Sequence, residues 1–164
     1  MQVLNHYQIT HKISRLAYEI LENNLEEKEI YIIGINQNGS KLAALIFDAL
    51  IKISNHKVVL ENIKLNPANP LEFLPELTTN PNHLQDKVVI MVDDVANTGR
   101  TIFYAFKTLM DVVPKKIEVA VLVDRKHKTF PVKVDYVGLS LATTIQENIK
   151  ADLNTVTELA VLVE

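Results

Sequence analysis

Residues 88–101 read Val88-Val89-Ile90-Met91-Val92-Asp93-Asp94-Val95-Ala96-Asn97-Thr98-Gly99-Arg100-Thr101. Five consecutive apolar residues bounded by charge are typical of a strand covered on both faces, as in a parallel sheet. This strand delivers two adjacent carboxylates to its C-terminal end, which is where open α/β sheets bind ligands. A short loop then enters a predicted helix. The segment therefore predicts a strand, a ligand-binding loop and a helix in direct succession.

The loop has the features of a phosphate cradle. The first N–H groups of a helix lack partners within the helix, and Gly99 lets the backbone approach an anion closely. The hydroxyls of Thr98 and Thr101 add donors. Two acids beside a phosphate fit a ribose, whose hydroxyl groups could donate hydrogen bonds to the carboxylates, or a magnesium ion. The residues alone leave a plainer interpretation open, in which Asp94 or Thr98 caps the helix and Gly99 forms a turn.

Outside this segment, strand and helix patterns alternate. Apolar runs predict strands over residues 30–33 and 117–123, and alternating apolar residues predict strands over residues 58–65 and 132–137, the latter with Val132, Val134 and Tyr136 on one face. Helical spacing of apolar residues predicts helices over residues 9–21, 42–53 and 102–113. Such alternation implies βαβ units with right-handed crossovers. We expect a single α/β domain over residues 1–164, with a mostly parallel central sheet flanked by helices.

Composition excludes several classes of protein. The chain has no Cys, which rules out disulfides and thiolate zinc sites. No apolar run reaches the roughly 18 residues of a membrane span, and no secretory signal is visible, so we expect a cytoplasmic protein. The net charge of −3 argues against bulk binding of polyanions.

Residues 60–86 form a predicted mobile flap. Residues 66–86 hold four of the six prolines, no glycine, and neither a helical nor a strand period. Long stretches without periodicity are usually lids or binding loops.

The stretch around Asp93 and Asp94 resembles the phosphoribosyl-diphosphate signature of the type I phosphoribosyltransferases: four hydrophobic residues, two acids, and a loop ending in Thr-Gly-x-Thr. Residues 120–138, which include Leu122-Val123-Asp124-Arg125 and Asp135-Tyr136-Val137-Gly138, resemble one branch of that family. The branch comprises bifunctional regulators of pyrimidine operons with uracil phosphoribosyltransferase activity. Residues 13–20 also follow its first helix. The resemblance implies the family fold with a small hood, and conversion of uracil and phosphoribosyl diphosphate to UMP and pyrophosphate.

The resemblance also implies a role for each part of the site. Asp93 and Asp94 would hold the ribose hydroxyls and, with Asn97, form the catalytic set. The 5-phosphate would be bound by Val95, Ala96, Asn97, Thr98, Gly99, Arg100 and Thr101. Pyrophosphate would meet Asn36, Gln37, Asn38 and Gly39. A turn at Val137, Gly138 and Leu139 would face the nucleobase through backbone groups. Mg2+ would sit on the diphosphate without direct protein ligands.

The chain has only four glycines, where about eleven or twelve are usual at this length. They are Gly34, Gly39, Gly99 and Gly138. We interpret them as positions where the backbone approaches a ligand closely or turns sharply at a strand end.

Three departures concern the family chemistry. Asn38 stands where the branch has an arginine in its pyrophosphate loop, and Asn97 stands where an aromatic residue is usual. The flap carries a net charge of −3, although the family's flap usually brings a cation to the diphosphate. A second hypothesis therefore stays open: a nucleotide-sensing regulator on the same fold, with weak or no turnover.

RNA binding is a further expectation from the resemblance. Residues 114–135 carry a net charge of +3 on an otherwise acidic chain. In the resembled regulators this segment and the first helix form the RNA surface, which implies contacts at Ser14, Tyr18, Lys128 and Lys133. An ordinary solvated lysine-rich turn is the alternative. The resemblance also suggests a homodimer or a higher homo-oligomer.

Overall fold

The computed structural model describes residues 1–142, 147–155 and 157–164. In chain order the elements are β1 (Gln2–Leu4), α1 (His6–Glu22), β2 (Glu29–Ile35), α2 (Asn36–Ile53), β3 (Lys57–Lys64), β4 (Glu76–Leu77), a 3-10 helix (Pro81–Leu84), β5 (Val88–Ala96), α3 (Arg100–Ala105), a second 3-10 helix (Phe106–Leu109), β6 (Lys116–Arg125), β7 (Tyr136–Leu141), β8 (Ile149–Asp152) and β9 (Ala160–Val163).

The main sheet has the strand order β4-β3-β2-β5-β6-β7. Its strands pair in parallel except for β4, which joins β3 antiparallel at the edge. The apolar run Val88–Val92 lies at the centre of this sheet, and its residues are at most 1% exposed. This confirms the predicted mostly parallel α/β fold. Strand β3 is not at the edge of the sheet, because β4 pairs with its outer side.

A second sheet, with the order β1-β9-β8, brings the two ends of the chain together. Its strands pair antiparallel. Leu4, Ala151 and Val161 from this sheet belong to the same buried cluster as residues of α1, α2 and the main sheet. This three-stranded sheet, which we call the hood, matches the small hood implied by the resemblance.

Helix α1 begins at a capping box. The Asn5 side chain accepts from the Gln8 N–H at 2.9 Å, and the Gln8 side chain accepts from the Asn5 N–H at 3.0 Å, so two end groups are satisfied reciprocally. The predicted apolar face is buried: Ile9, Ile13, Leu16, Ala17 and Ile20. Among the described residues, no helix is long and apolar enough to cross a membrane.

The helix predicted over residues 102–113 is shorter in the structure. Helix α3 ends at Ala105 and continues as a 3-10 helix to Leu109, leaving Met110 and Val113 72% and 69% exposed. Aromatic and β-branched residues are weaker helix formers, and the Thr108 hydroxyl donates to the Ala105 carbonyl at 2.9 Å, competing with the helical pattern.

The strand predicted over residues 132–137 is also wrong in position, because β7 runs from Tyr136 to Leu141. Just before β7 begins, the Asp135 N–H donates to the Val119 carbonyl of β6 at 2.9 Å. Val132 is buried in a different way, against the position of Gly99. Val137, Gly138 and Leu139 therefore lie within a strand, and the predicted turn is absent there.

Three of the four glycines serve packing inside the protein. A Cβ atom on Gly34 would lie 2.4 Å from the Ser40 Cα, one on Gly39 would lie 2.7 Å from the Val92 carbonyl oxygen, and one on Gly138 would lie 2.5 Å from the Leu122 carbonyl oxygen. These contacts account for the three glycines without a ligand. Gly99 differs, because its φ of +83° favours glycine.

Replacing Gly34 tests this packing directly. We expect Gly34→Ala to lower the free energy of unfolding by about 2–3 kcal/mol, since backbone atoms must move to admit the methyl group. For a chain of this size that corresponds to a melting temperature about 4–12 °C lower. The control is Ser140→Ala on the exposed side of β7. Equal melting temperatures for the two variants in a thermal scan would contradict the packing role.

Candidate active site

The site lies where the order of the main sheet reverses. From β2 the chain crosses to β3 on one side, and from β5 it crosses to β6 on the other, while β2 and β5 are neighbours. Their carboxyl ends thus form the switch-point crevice in which open α/β sheets bind ligands. The start of α2 and the loop after β5 face each other across it.

The two acids belong to strand β5 itself, which extends to Ala96. Asp93 is 8% exposed, and its Oδ1 accepts from the Asp94 N–H at 3.0 Å. Burial, followed by the neighbouring Asp94 carboxylate, raises the pKa of Asp93 well above its ordinary value. A buried carboxyl with a strongly shifted pKa in a crevice is a candidate for a functional group.

Residues 96–101 run from the last residue of β5 into the start of α3, and we call them the phosphate loop because they are predicted to bind the 5-phosphate. They contribute most of the lining of a small concavity of about 50 Å3, together with Asp93, Val95 and Ile102. Gly99 is the N-cap of α3 and makes no side-chain cap hydrogen bond. The Thr98 hydroxyl accepts from the Arg100 N–H at 3.3 Å. Thr98 and Thr101 thus both line this small concavity.

The predicted catalytic residue Asn97 contacts a residue that the sequence did not single out for this site. Its Oδ1 accepts from Arg125 Nη1 at 3.1 Å. Arg125 ends β6 and is only 7% exposed, which is rare for an arginine. Its place in a segment of family-like sequence was the available signal, but no local pattern says that its side chain reaches the neighbouring strand's loop.

The predicted pyrophosphate loop is the first turn of α2 and not a free loop. Asn36 has a positive φ of 55°, and its Oδ1 accepts from the Leu65 N–H at 2.9 Å. Asn38 Nδ2 donates to Asp94 Oδ2 at 3.0 Å and lies 3.4 Å from the Ala151 carbonyl oxygen in the hood. Gln37 is exposed. The structure therefore brings Asn38 to the acid pair.

The predicted nucleobase segment faces helix α1. Arg15 Nη2 donates to the Val137 and Gly138 carbonyls at 2.7 and 2.9 Å, and Lys12 Nζ donates to the Gly138 carbonyl at 3.0 Å. Burial and the neighbouring Arg15 lower the pKa of Lys12. Leu139 lines a cavity of about 660 Å3 between α1, β1 and β7. Two carbonyls of the segment that is predicted to face the nucleobase thus already accept hydrogen bonds within the protein.

The flap meets the phosphate loop through Arg100, whose Nη2 donates to the Pro67 carbonyl at 2.5 Å. Its later part is fastened to β3. The Thr79 hydroxyl donates to Glu61 Oε2 at 3.1 Å, and His83 Nε2 lies 2.6 Å from Glu61 Oε1. Residues 68–78 lie between these attachments, within the flap predicted over residues 60–86, and the first residues of that predicted flap belong to β3.

The four residues predicted to bind RNA have different surroundings. Ser14 and Tyr18 are exposed on α1, and the Lys133 side chain is 87% exposed beside Asp135 at 3.2 Å. The Lys128 side chain, in contrast, is 21% exposed and turned into the structure, where it contacts Asp124. The surface interpretation therefore fits three of these residues and does not fit Lys128.

The donor set of the site suits a metal that arrives with its ligand. No group of three or more His, Cys, Asp or Glu side chains that could cage a metal occurs in residues 1–142, 147–155 and 157–164. Magnesium usually keeps several waters and binds one or two carboxylates together with substrate phosphates. The pair Asp93 and Asp94 fits that limited role.

The buried acid gives a prediction about stability. Because the pKa of Asp93 is raised in the folded protein, folding favours its protonated form, and stability is lost as pH rises from about 3.9 through the raised value. Asp93→Asn removes this loss. We expect a melting temperature at least about 2 °C above wild type at neutral pH, with the difference vanishing below about pH 3.9. Thermal scans across pH, with exposed Asp111→Asn as control, check this; a difference independent of pH would contradict it.

Comparison with known proteins agrees with this geometry. The family model described as "Phosphoribosyl transferase domain" matches residues 1–154. The protein named "Bifunctional protein PyrR" of Ligilactobacillus salivarius is 34% identical over 157 residues, covering 90% of this chain and 88% of the relative. Its namesake from Bacillus pumilus is 32% identical over 165 residues, covering 94% and 91%.

Solved structures show the same fold. The hypoxanthine phosphoribosyltransferase of Trypanosoma cruzi superposes with a TM-score of 0.79 at 17% identity, covering 99% of this chain and 95% of that one. A hypoxanthine-guanine phosphoribosyltransferase from Bacillus anthracis gives a TM-score of 0.72 at 22% identity, covering 85% and 81%. At these identities the likeness concerns the arrangement of strands and helices.

Proposed function

The chain belongs to the phosphoribosyl transferase domain family, and from that premise we propose that it binds phosphoribosyl diphosphate and transfers its phosphoribosyl group to uracil, giving UMP and pyrophosphate. The observation that carries this proposal is the pair Asp93 and Asp94 directly before the phosphate loop, at the switch point of the sheet. The relatives named "Bifunctional protein PyrR", 30–34% identical over at least 90% of the chain, support the choice of a pyrimidine.

The chemistry assigned to the site is mainly positioning. Asp93 and Asp94 accept from the ribose hydroxyls, and the phosphate loop donates to the 5-phosphate. The helix dipole contributes only about 0.3–1 kcal/mol, whereas each hydrogen bond to a charged phosphate contributes about 1.5–3 kcal/mol. The direct donors therefore do most of the binding. Holding the ribose in this way leaves C1 free for charge to separate as pyrophosphate departs.

Magnesium is the cofactor that we propose, held by the diphosphate. When bound, it would offset the negative charge of the leaving group. Asp93 and Asp94 are the residues of this chain that would face it, through waters.

For the nucleobase we keep residues 137–139 as the proposed reader. Arg15 and Lys12 fix two carbonyls of this segment, so these cations would set its position relative to the base. With backbone recognition of this kind, the identity of the side chains in residues 137–139 has little effect on which base binds.

The second candidate is a nucleotide-sensing regulator with weak or no turnover. Asn38 favours it, because an amide that donates to Asp94 occupies the place where the resembled branch has an arginine for pyrophosphate. The flap's net charge of −3 also favours the regulator, because an acidic flap repels the negatively charged diphosphate. Exposed Ser14, Tyr18 and Lys133 leave RNA binding open as the regulatory output, and a homo-oligomer remains part of this proposal.

Two measurements on the full chain separate the candidates. One is calorimetric titration with UMP and with magnesium phosphoribosyl diphosphate, and the other is pyrophosphate release with uracil and other bases. Release that depends on uracil supports the enzyme. Binding of UMP without turnover on any base supports the regulator, which salt-dependent retention of a pyrimidine leader transcript then examines. Binding of neither ligand overturns both.

A further inference from the structure

The phosphate loop contacts residues 125–132, which run from the last residue of β6 towards β7 and which we call the supporting segment. The Thr129 and Phe130 N–H groups both donate to the Thr98 carbonyl at 3.1 Å. A carbonyl oxygen has two lone pairs, so this acceptor is fully used. Arg125 holds the side chain of Asn97 in the same loop.

Side-chain packing adds to these hydrogen bonds. A Cβ atom added to Gly99 would lie 3.3 Å from Val132 side-chain atoms and 3.4 Å from Lys128 Cδ, so both side chains lie against this glycine. The Phe130 ring lies 5.4 Å from that of Phe103 in α3. The supporting segment therefore contacts the loop and the helix that follows it.

Lys128 is the central member of this arrangement. Its Nζ contacts Asp124 Oδ1, lies 2.5 Å from the Arg125 carbonyl oxygen and 3.4 Å from the Ala96 carbonyl oxygen. An ammonium group has three donors, and these three acceptors match them. Lys128 thus ties the end of β6 to the start of the phosphate loop, and no donor is left over for a nucleic-acid phosphate.

We propose that Lys128 is a positioning residue that fixes the shape of the phosphate loop before the ligand arrives, and is not an RNA contact. The inference rests on the proposed function, in which this loop binds the 5-phosphate. A cradle made of backbone N–H groups is effective only if those groups already point at the anion, because ordering a loose loop on binding costs affinity. Lys128 acts through the Ala96 carbonyl and the stem that packs under Gly99.

The test uses Lys128→Met, which keeps the apolar stem and removes the donors, with exposed Lys52→Met at the end of α2 as the matched control. Calorimetry compares UMP with uridine, which lacks the phosphate. We expect the Kd of UMP to rise about 10-fold in Lys128→Met, with uridine binding unchanged and Lys52→Met equal to wild type. Lys128→Arg, which restores a donating cation, should recover most of the affinity.

An unchanged Kd for UMP would overturn the proposal, and so would an equal loss for uridine, which would indicate a general defect. A second measurement needs no ligand. Amide hydrogen exchange of residues 97–102 in the free protein should speed up in Lys128→Met relative to Lys52→Met, and equal rates would overturn the proposal. If Lys128→Met does not fold, the same two measurements on Lys128→Gln decide. Failure of wild type to bind UMP at all would count against the proposed function, while the exchange result would still judge Lys128.

Discussion

The double replacement Asp93→Asn with Asp94→Asn is expected to raise the Kd of phosphoribosyl diphosphate at least about 100-fold. Each carboxylate is proposed to accept from a ribose hydroxyl, and a hydrogen bond to a charged group contributes about 1.5–3 kcal/mol, so losing two such bonds costs two decades of affinity or more. Asparagine keeps the size of the side chain, so the strand and its packing stay intact.

Calorimetry on the full chain with magnesium present measures this loss. Asp111→Asn, an exposed acid outside the site, should bind as wild type does. The double variant should also melt no lower than wild type at neutral pH, because it removes a buried carboxyl whose pKa is raised. Loss of affinity without loss of stability separates a binding role from a structural one. Unchanged affinity would remove these acids from the site.

The replacement Asn38→Arg is expected to raise the rate of pyrophosphate release about 10-fold or more. Charge accumulates on pyrophosphate as its bond to the ribose breaks, and a nearby guanidinium would stabilise that charge by about 1.5–3 kcal/mol. The Asn38 side chain lies 3.0 Å from Asp94, so this position is next to the acids that we propose bind the ribose.

Asn38→Gln is the matched control, since it keeps the amide and adds length without charge. Initial rates at saturating phosphoribosyl diphosphate compare the two variants with wild type. A gain for arginine and none for glutamine would identify the missing cation as the limit on turnover. Equal rates for all three would assign the limit elsewhere, with the acidic flap as the next group to change.

The local sequence predicted the parts of this molecule that depend on local pattern. The apolar run Val88–Val92 is enough to predict a central parallel strand, because burial on both faces leaves a direct signature in composition. The amphipathic spacing of α1 worked in the same way.

The errors arose where distant residues decide the outcome. The sequence indicates a turn at Gly138, but a glycine is required there because the Leu122 carbonyl of the neighbouring strand leaves no room for a side chain. The alternation of Val132, Val134 and Tyr136 resembled a strand, although Val132 packs under the phosphate loop. The sequence indicates a surface role for Lys128, while the partners of its side chain lie at the ends of two different strands. None of these contacts is written in the neighbouring sequence.

The same reasoning applies to the site. Its acids and phosphate loop occupy consecutive residues, so a single motif carries them. Arg125 and the contact from Asn38 to Asp94 join segments that are far apart along the chain, and only the fold brings them together. The sequence therefore indicates the residues that we propose for ribose and phosphate binding, but not the contacts that hold those residues in place.

The most direct test of the central claim is a crystal structure of the full chain with magnesium phosphoribosyl diphosphate or UMP. We predict the 5-phosphate within hydrogen-bond distance of the N–H groups of residues 98–101, and the ribose hydroxyls on Asp93 and Asp94. A ligand seated elsewhere, such as in the cavity between α1, β1 and β7, with the phosphate loop empty, would contradict the account.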